Sequence, residues 1–451
     1  MKNYRVLNLL FCVIFVSGAI FHVFRQMASD DTGKELAARA AVLPKASEFS
    51  SKTGTPPHYQ AYTNESGGRQ AAGIAFVTTD VTPDIPGYAG PIKLMVGLDP
   101  EAVITGVAVI SHSETPSYVV SLEDFLKQFT GRSVKDAFTL GKDVDGITRA
   151  TISSEAIARA VERGGKKVAT GILGLDAGVP AAAQPRLAVT EILLTVFIFG
   201  LAVTAAVTNN HRIRWAALLS GLFYLGFLKA TMFSVVQLVN VQLGKIPSWT
   251  GHPLWYVLLG LTFLTILVWG NVYCGSVCPF AGLQDLLYKL GKNLHVEKFS
   301  VSPNLERKAR YLKFIVLFSV LIMGAAIGKS DPANIEAFIL FFTFHASRLG
   351  WLLVALVLVA ALLDQRFWCK YLCPAGAFNG LLARLSLYKV RLDGDCGGCA
   401  ACQKLCPIGA ITMDAQSRPV IDDPECIVCG KCIRGCPEAG LQLTRMTHEK
   451  K

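Results

Sequence analysis

Six apolar runs interrupt this chain, at residues 6–24, 187–207, 215–239, 253–273, 311–327 and 349–367. Each is near the roughly 20 residues that a helix needs to cross about 30 Å of hydrocarbon. A water-soluble core cannot enclose so many helices that are apolar all round. A bilayer tolerates them, because every backbone group pairs inside its own helix. The first expectation is therefore an α-helical polytopic membrane domain of about six spans. A further apolar stretch, residues 335–344, is too short to span and is expected to lie at the interface or to re-enter.

The formal net charge is +11, although only 17% of the residues are charged. Such a balance can signal nucleic acid, but these cations sit in short loops beside apolar runs, where they set orientation instead. No nucleic-acid partner is expected; membrane lipid is. The turn 209–214 holds Arg212 and Arg214, and the loop 279–310 holds Lys289, Lys292, Lys298, Arg307, Lys308 and Arg310. The intervening loops are poor in charge, with Lys245 alone in 240–252 and only Lys329 and Arg348 in 328–348. Cationic loops stay in the cytoplasm, which places the N-terminal part outside a bacterial inner membrane and the C-terminal part inside.

Lys2 and Arg5 precede the first run, so residues 1–27 read as a signal anchor or first transmembrane helix, with no clean cleavage site after it. Residues 28–55 read as a tether. Residues 56–174 change to short β-like runs punctuated by Gly and Pro, with two helical stretches, which is the pattern of an exported α+β domain. Five spans are expected within 187–373, and residues 390–445 form a last domain.

That last domain is defined by cysteine. Of thirteen cysteines only Cys12 is isolated, and none lies in 29–185. Cys396, Cys399, Cys402 and Cys406 stand as C-x-x-C-x-x-C-x-x-x-C before Pro407; Cys426, Cys429, Cys432 and Cys436 repeat the spacing before Pro437. Zinc needs four ligands around one ion and has no use for two runs that each end in a remote cysteine. At this spacing three thiolates wrap one cubane and the fourth serves its neighbour. One [4Fe–4S] is thus expected on Cys396, Cys399, Cys402 and Cys436, and a second on Cys426, Cys429, Cys432 and Cys406. The segment resembles bacterial two-cluster ferredoxin domains and is expected in the cytoplasm.

Two further pairs, Cys274 with Cys278 and Cys369 with Cys373, stand as C-x-x-x-C-P at the expected cytoplasmic ends of two spans. Residues four apart share a helix face, so each pair presents two thiols together. Together they make one complete set for a further metal or cluster; paired redox thiols and packed, unliganded cysteines are the alternatives.

In the exported domain, Asp145-Gly146-Ile147-Thr148-Arg149-Ala150-Thr151 resembles the D-x-x-[ST]-G-A-T motif of flavin-binding domains in sodium-pumping and Rnf complexes, with Arg149 in place of glycine. Residues 87–92, Gly-Tyr-Ala-Gly-Pro-Ile, and His112-Ser113-Glu114-Thr115-Pro116 resemble two more segments of those domains. The resemblance implies FMN joined by a phosphoester to Thr151, installed by a flavin transferase, with Asp145, Thr148, Ala150, Glu114 and Thr115 around it. The bland alternative makes Thr151 or Ser153 a helix cap.

The whole order is similar to that of the NosR/NirI family. This implies a membrane-bound electron-transfer protein with a periplasmic FMN domain, drawing on the quinone pool or a cytoplasmic donor. Its implied client is a periplasmic respiratory reductase such as nitrous oxide reductase, reached directly or through an electron carrier. Redox-sensing regulation, or maturation, of that reductase system is the alternative role. No cofactor site is evident across the ~30 Å between the two faces. His22, His252 and His345 are candidate haem ligands or packed histidines, and Lys229 is placed near the middle of a span. Lys229 is expected to pair with a carboxylate, meet a quinone headgroup or snorkel outward.

Overall fold

A computed structural model describes residues 2–28, 32–65, 68–87, 90–112, 114, 121–147, 150–178, 189–246, 249, 253–295, 302–344 and 346–446. The chain opens with one continuous helix, Lys2–Ala28. Val6, Leu9, Val13 and Phe24 are exposed along it, as a lipid-facing stripe requires, while Leu7, Phe11 and Phe15 pack on the core of the membrane domain.

The N-terminal α+β domain is built on a five-stranded antiparallel sheet in simple sequence order. Its strands are β1 (Glu48–Phe49), β2 (Tyr59–Glu65), β3 (Gly68–Val77), β4 (Lys93–Leu98) and β5 (Ile104–Ser111). Alternation along the central strands sends Ile74, Phe76, Leu94 and Val96 to one face, under Ile157, Val161 and Val168 of the long helix Thr151–Ile172. Ala75, Val77 and Met95 point to the other face, where they meet Ala38 and Val42.

Those last two residues belong to the helix Thr32–Val42, which occupies part of the expected tether. It is a structural layer of the domain, held close because a Cβ at Gly97 would stand 2.8 Å from the Val42 carbonyl oxygen. Its polar anchor is Glu35, which accepts from the Tyr59 hydroxyl at 2.6 Å and pairs with Lys93 at 2.7 Å and Lys52 at 3.6 Å. Partial burial pushes the Glu35 carboxyl up, but the hydrogen bonds from Lys93 and Tyr59 and the Lys52 charge outweigh it and leave it below its usual value. A depressed carboxyl stabilises the folded state above its unfolded pKa, near 4.3, and loses that contribution as pH falls through the lower folded value. Thermal unfolding of the exported domain, followed from about pH 6 to about pH 3, is therefore expected to weaken more steeply in the native chain than in Glu35→Gln; parallel curves would show that Glu35 does not hold this helix.

Six uninterrupted spans are not what the chain forms. Among the described residues three helices are long and apolar enough to cross a membrane, within Tyr4–Phe24, Val189–Thr208 and Leu305–Ile327. The pair Ala337–Thr343 and Arg348–Leu363, bent by 108°, makes a fourth if taken as one span, and the apolar helix Pro253–Trp269 is shorter. The run 215–239 breaks into His211–Ser220, a π-helical stretch Gly221–Leu228, an irregular link and Val235–Gln242. Gly221 permits the first change of pitch by lying against the Val277 carbonyl, only 2.2 Å from where a Cβ would be. The freed backbone groups find side chains: the Phe233 amide donates to the Tyr273 hydroxyl at 2.9 Å, and Ser234 and Gln237 form a capping box. A break inside an apolar domain persists only when its amides are met in this way.

The C-terminal domain consists of two short antiparallel ladders, Tyr388–Leu392 with Leu441–Arg445 and Ile411–Met413 with Pro419–Ile421. It is fastened to the membrane domain by the buried Lys313–Glu425 ion pair at 2.7 Å. Gly380 adds a close backbone approach, since a Cβ there would stand 2.4 Å from the Pro424 oxygen.

Candidate redox centres

In the C-terminal domain the two cysteine loops are folded by left-handed residues. Gly398 (φ 70°) and Ala400 (φ 55°) turn the first loop into the helix Ala401–Leu405, and Val428 (φ 49°) and Gly430 (φ 68°) turn the second into Lys431–Arg434. Cys402 and Cys432, one on each short helix, are buried in a shared apolar cluster with Cys406 and Cys426 at its edge. Burial and the neighbouring Cys429 and Cys406 push the Cys432 thiol up to about 12, and Cys406 is raised by burial and Cys429. Cys402 is raised by burial, with Cys396 and Cys399 as its sulfur neighbours. The remote cysteine of the first run therefore sits with the second run. Cys436 follows its helix, and Glu438 reaches back to accept from the Gly397 amide.

The membrane-edge cysteines are brought together from two separate stretches. Cys274 lies in the π-helical turn Tyr273–Val277, and Cys278 caps the helix Pro279–Asn293. Cys369 lies in Phe367–Tyr371, and Cys373 caps Pro374–Ala383, with its sulfur accepting from the Gly376 amide at 3.2 Å. Two buried amides tie the pairs reciprocally. Gln284 on the first helix donates to the Cys369 sulfur at 3.2 Å, and Asn379 on the second donates to the Cys274 sulfur at 3.4 Å. Both amides stand six residues after the second cysteine of their motif. Sequence reading passed over them, although this matched offset was visible as an extension of the repeat.

The two sulfur sets share a wall. Cys274 packs on Ile408, Ala410 and Ile427 together with Cys406 and Cys429. A Cβ at Gly275 would stand 2.0 Å from the Ile427 oxygen, so the membrane turn and the second ferredoxin loop touch backbone to backbone. Among the described residues no group of three or more His, Cys, Asp or Glu stands as a site for one metal ion. The donors do suit iron–sulfur groups, which spread their thiolates over several irons and take N–H bonds to sulfur. Gly376 on Cys373 and Ala410 on Cys406, each at 3.2 Å, supply such bonds.

In the N-terminal α+β domain three motifs converge at the start of the helix Thr151–Ile172. Buried Glu114 accepts from the Ser153 hydroxyl at 2.5 Å, and a Cβ at Gly87 would come within 2.4 Å of the same carboxylate. The residue capping this helix is Ala150, without a side-chain cap, and Ser154 accepts from the Ile147 amide, so neither Thr151 nor Ser153 is the cap. The N-cap Ala150 has no polar side chain to meet the first amides of the helix, and amides at a helix start favour phosphate. Asp145 is exposed and paired through its backbone with Gln128. Thr148 and Thr115 lie outside the described residues, as does the side chain of Thr151.

His112, two residues before Glu114, faces the membrane domain. Burial lowers its pKa, Lys329 and Lys245 lower it further, and Asp331 opposes them. Lys229 pairs with Glu191 at the head of the helix Val189–Thr208, the carboxylate partner among its expected arrangements. His22 is buried in the first helix, and His252 and His345 lie outside the described residues.

Comparison with known proteins matches the FMN-binding domain family to residues 87–165. A 4Fe–4S binding domain family matches 251–297 and 347–392, each window holding one membrane-edge pair and its buried amide, and a 4Fe–4S dicluster family matches 395–441. An uncharacterized protein of Methanocaldococcus jannaschii is 31% identical over 185 residues, which is 40% of this chain and 68% of that protein. The regulatory protein NosR of Pseudomonas aeruginosa is 30% identical over 235 residues, 49% of this chain but 32% of NosR. The protein NirI of Paracoccus denitrificans is 30% identical over 235 residues, 49% of this chain and 34% of NirI. The chain thus matches about a third of the length of these two larger relatives.

Proposed function

The chain belongs to the NosR/NirI-like proteins that join an FMN-binding domain to 4Fe–4S domains, and from that premise we propose that it is a transmembrane redox relay through which a respiratory reductase system outside the membrane is regulated or matured. Iron–sulfur clusters pass electrons singly, and FMN exchanges them singly or in pairs. Cys396, Cys399, Cys402 and Cys436 would hold one cluster, and Cys426, Cys429, Cys432 and Cys406 the second. Cys274, Cys278, Cys369 and Cys373 would hold a third, with Gln284 and Asn379 orienting their sulfurs. Thr151 would carry FMN as a phosphoester made by a flavin transferase, with the phosphate on the open helix start and Asp145, Thr148, Ala150, Glu114 and Thr115 about it.

The observation that carries the reading is continuity of contact between the faces. Inward, Cys274 and Cys429 share the Ile427 wall. Outward, buried Glu336 lies within electrostatic range of the Ala375 backbone, two residues after Cys373, and accepts from the Ser234 hydroxyl and the Val235 amide. Ser234 starts the eight-residue helix Val235–Gln242, a rise of about 12 Å. Just beyond it Lys245 donates to the Gly328 carbonyl at 3.0 Å, beside the loop that faces His112. These contacts would divide the expected ~30 Å gap into shorter steps. On the inner side a cleft of about 1150 Å³, lined by Tyr4, Arg310, Tyr311, Arg391 and Cys406, gives a quinol headgroup or a one-electron donor its approach.

The regulatory names of the relatives favour the sensing role, whereas the continuity of contact favours a second reading, supply of electrons to the reductase itself. Deleting this chain while the client reductase is expressed from an independent promoter separates them. Reductase activity restored by expression alone supports regulation, and a reductase lacking its metal centre supports maturation. A fully metallated reductase that works only with an artificial donor supports electron supply.

A further inference from the structure

Arg214 and Arg366 are both buried, Arg366 completely, and they share a single carboxylate. Arg366 forms a fork on Asp285, Nε to Oδ1 at 3.0 Å and one terminal nitrogen to Oδ2 at 2.8 Å. Arg214 reaches the same Oδ2 at 2.8 Å. Two guanidinium charges against one carboxylate leave a surplus of one positive charge, and among the described residues no other acid forms an ion pair with either arginine. A buried charge is costly unless it is compensated. The remaining donors show where compensation is taken. Arg366 donates to the Cys274 carbonyl at 2.7 Å and to the Gly275 carbonyl at 3.1 Å, and Arg214 donates to the Gly275 carbonyl at 3.1 Å. Arg366 opens the short helix that carries Cys369 and lies within electrostatic range of both Cys369 and Cys429.

Arg366 also has φ 62°, the left-handed region that a bulky residue enters only when its surroundings impose it. Gln365 donates to Asp285 at 2.7 Å, and Lys431 of the second ferredoxin loop reaches Gln365 at 3.4 Å. The cluster therefore joins both membrane-edge motifs and the neighbouring ferredoxin loop, in a place from which water is excluded.

We propose that the Arg214–Asp285–Arg366 cluster sets the reduction potential of the group held by Cys274, Cys278, Cys369 and Cys373, its uncompensated positive charge favouring the reduced form. This rests on the reading that those four cysteines hold an iron–sulfur cluster. Reduction there adds one electron, and so one negative charge, while a one-electron iron–sulfur donor in the C-terminal domain is oxidised by one; no bond forms or breaks. Fixed charge near a poorly solvated redox group acts with little screening, so the two arginines are positioning residues whose effect is electrostatic.

The test is a redox titration of the purified full-length chain followed by electron paramagnetic resonance, with iron counted in each variant. Arg366→Gln is expected to lower the midpoint potential of the membrane-edge centre by a tenfold or larger change in the reduction constant, which is about 59 mV for a one-electron couple. Asp285→Asn, which uncovers a second positive charge, is expected to move it upward, and Arg366→Lys to keep it near the native value. Arg214→Gln provides a second downward variant if Arg366→Gln loses iron. Potentials that stay put while the centre remains loaded overturn the inference alone, and so does loss of the centre from all four variants, because both describe a purely mechanical clamp. A native chain with iron for only the two C-terminal clusters overturns the underlying reading and the inference with it.

Discussion

Replacing Thr151 by Ala is expected to abolish flavin fluorescence that survives denaturing electrophoresis, while Thr151→Ser retains part of it. Thr151 is the first residue of its helix, and its N-cap, Ala150, offers the opening amides no side-chain acceptor of its own. A phosphate esterified to this hydroxyl would lie at the positive end of the helix, where an anion gains about 0.3–1 kcal/mol even before specific hydrogen bonds. Buried Glu114, held by Ser153, fixes the approach of the second motif to the same turn. Fold should survive the substitution, since alanine is the best helix former. The readout is nearly all-or-none: full fluorescence in Thr151→Ala, with secondary structure unchanged, would move the flavin linkage elsewhere.

The cofactor domains are easier to read from this chain's sequence than its backbone path is. The twelve clustered cysteines were legible because thiolate spacing is local and leaves few alternatives. The exported motifs were legible for the same reason, although nothing in 87–92 or 112–116 says that Glu114 will meet Ser153. What escaped was long-range. Arg212 and Arg214 look alike as loop charges, yet Arg214 is buried on Asp285, 71 positions away in sequence. Lys229 looked stranded in a span because the run 215–239 was read as one helix; the break after Leu228 brings it to Glu191. Apolar character gave the presence of the membrane domain but not its number of crossings, since half-length helices are as apolar as full ones. The helix Thr32–Val42 was hidden by its composition, because small alanines pack on a sheet without the large apolar residues that advertise a core.

Gly275→Ala is expected to uncouple the two halves of the relay while leaving their cofactors in place. The added methyl would stand 2.0 Å from the Ile427 carbonyl oxygen, a backbone atom, so no side-chain rotamer can relieve the overlap. Overpacking of this kind costs about 1–3 kcal/mol, and here the cost falls on the joint rather than inside either domain. The loop that holds Cys426, Cys429 and Cys432 keeps its own left-handed turns and its own ladder, so its iron content should be unchanged. What should fall is the rate at which the flavin is reduced through the C-terminal clusters, by about fivefold or more, since 1–2 kcal/mol shifts an equilibrium between docked and undocked forms by a factor of about 5–30. Gly260→Ala is the matched control, a glycine in an apolar helix with nothing within 4 Å of the new methyl. Stopped-flow flavin reduction in the two variants, reconstituted in vesicles, compares them directly. Equal rates would mean that electrons do not pass the contact between Cys274 and Cys429, and the inner and outer centres would then need separate donors.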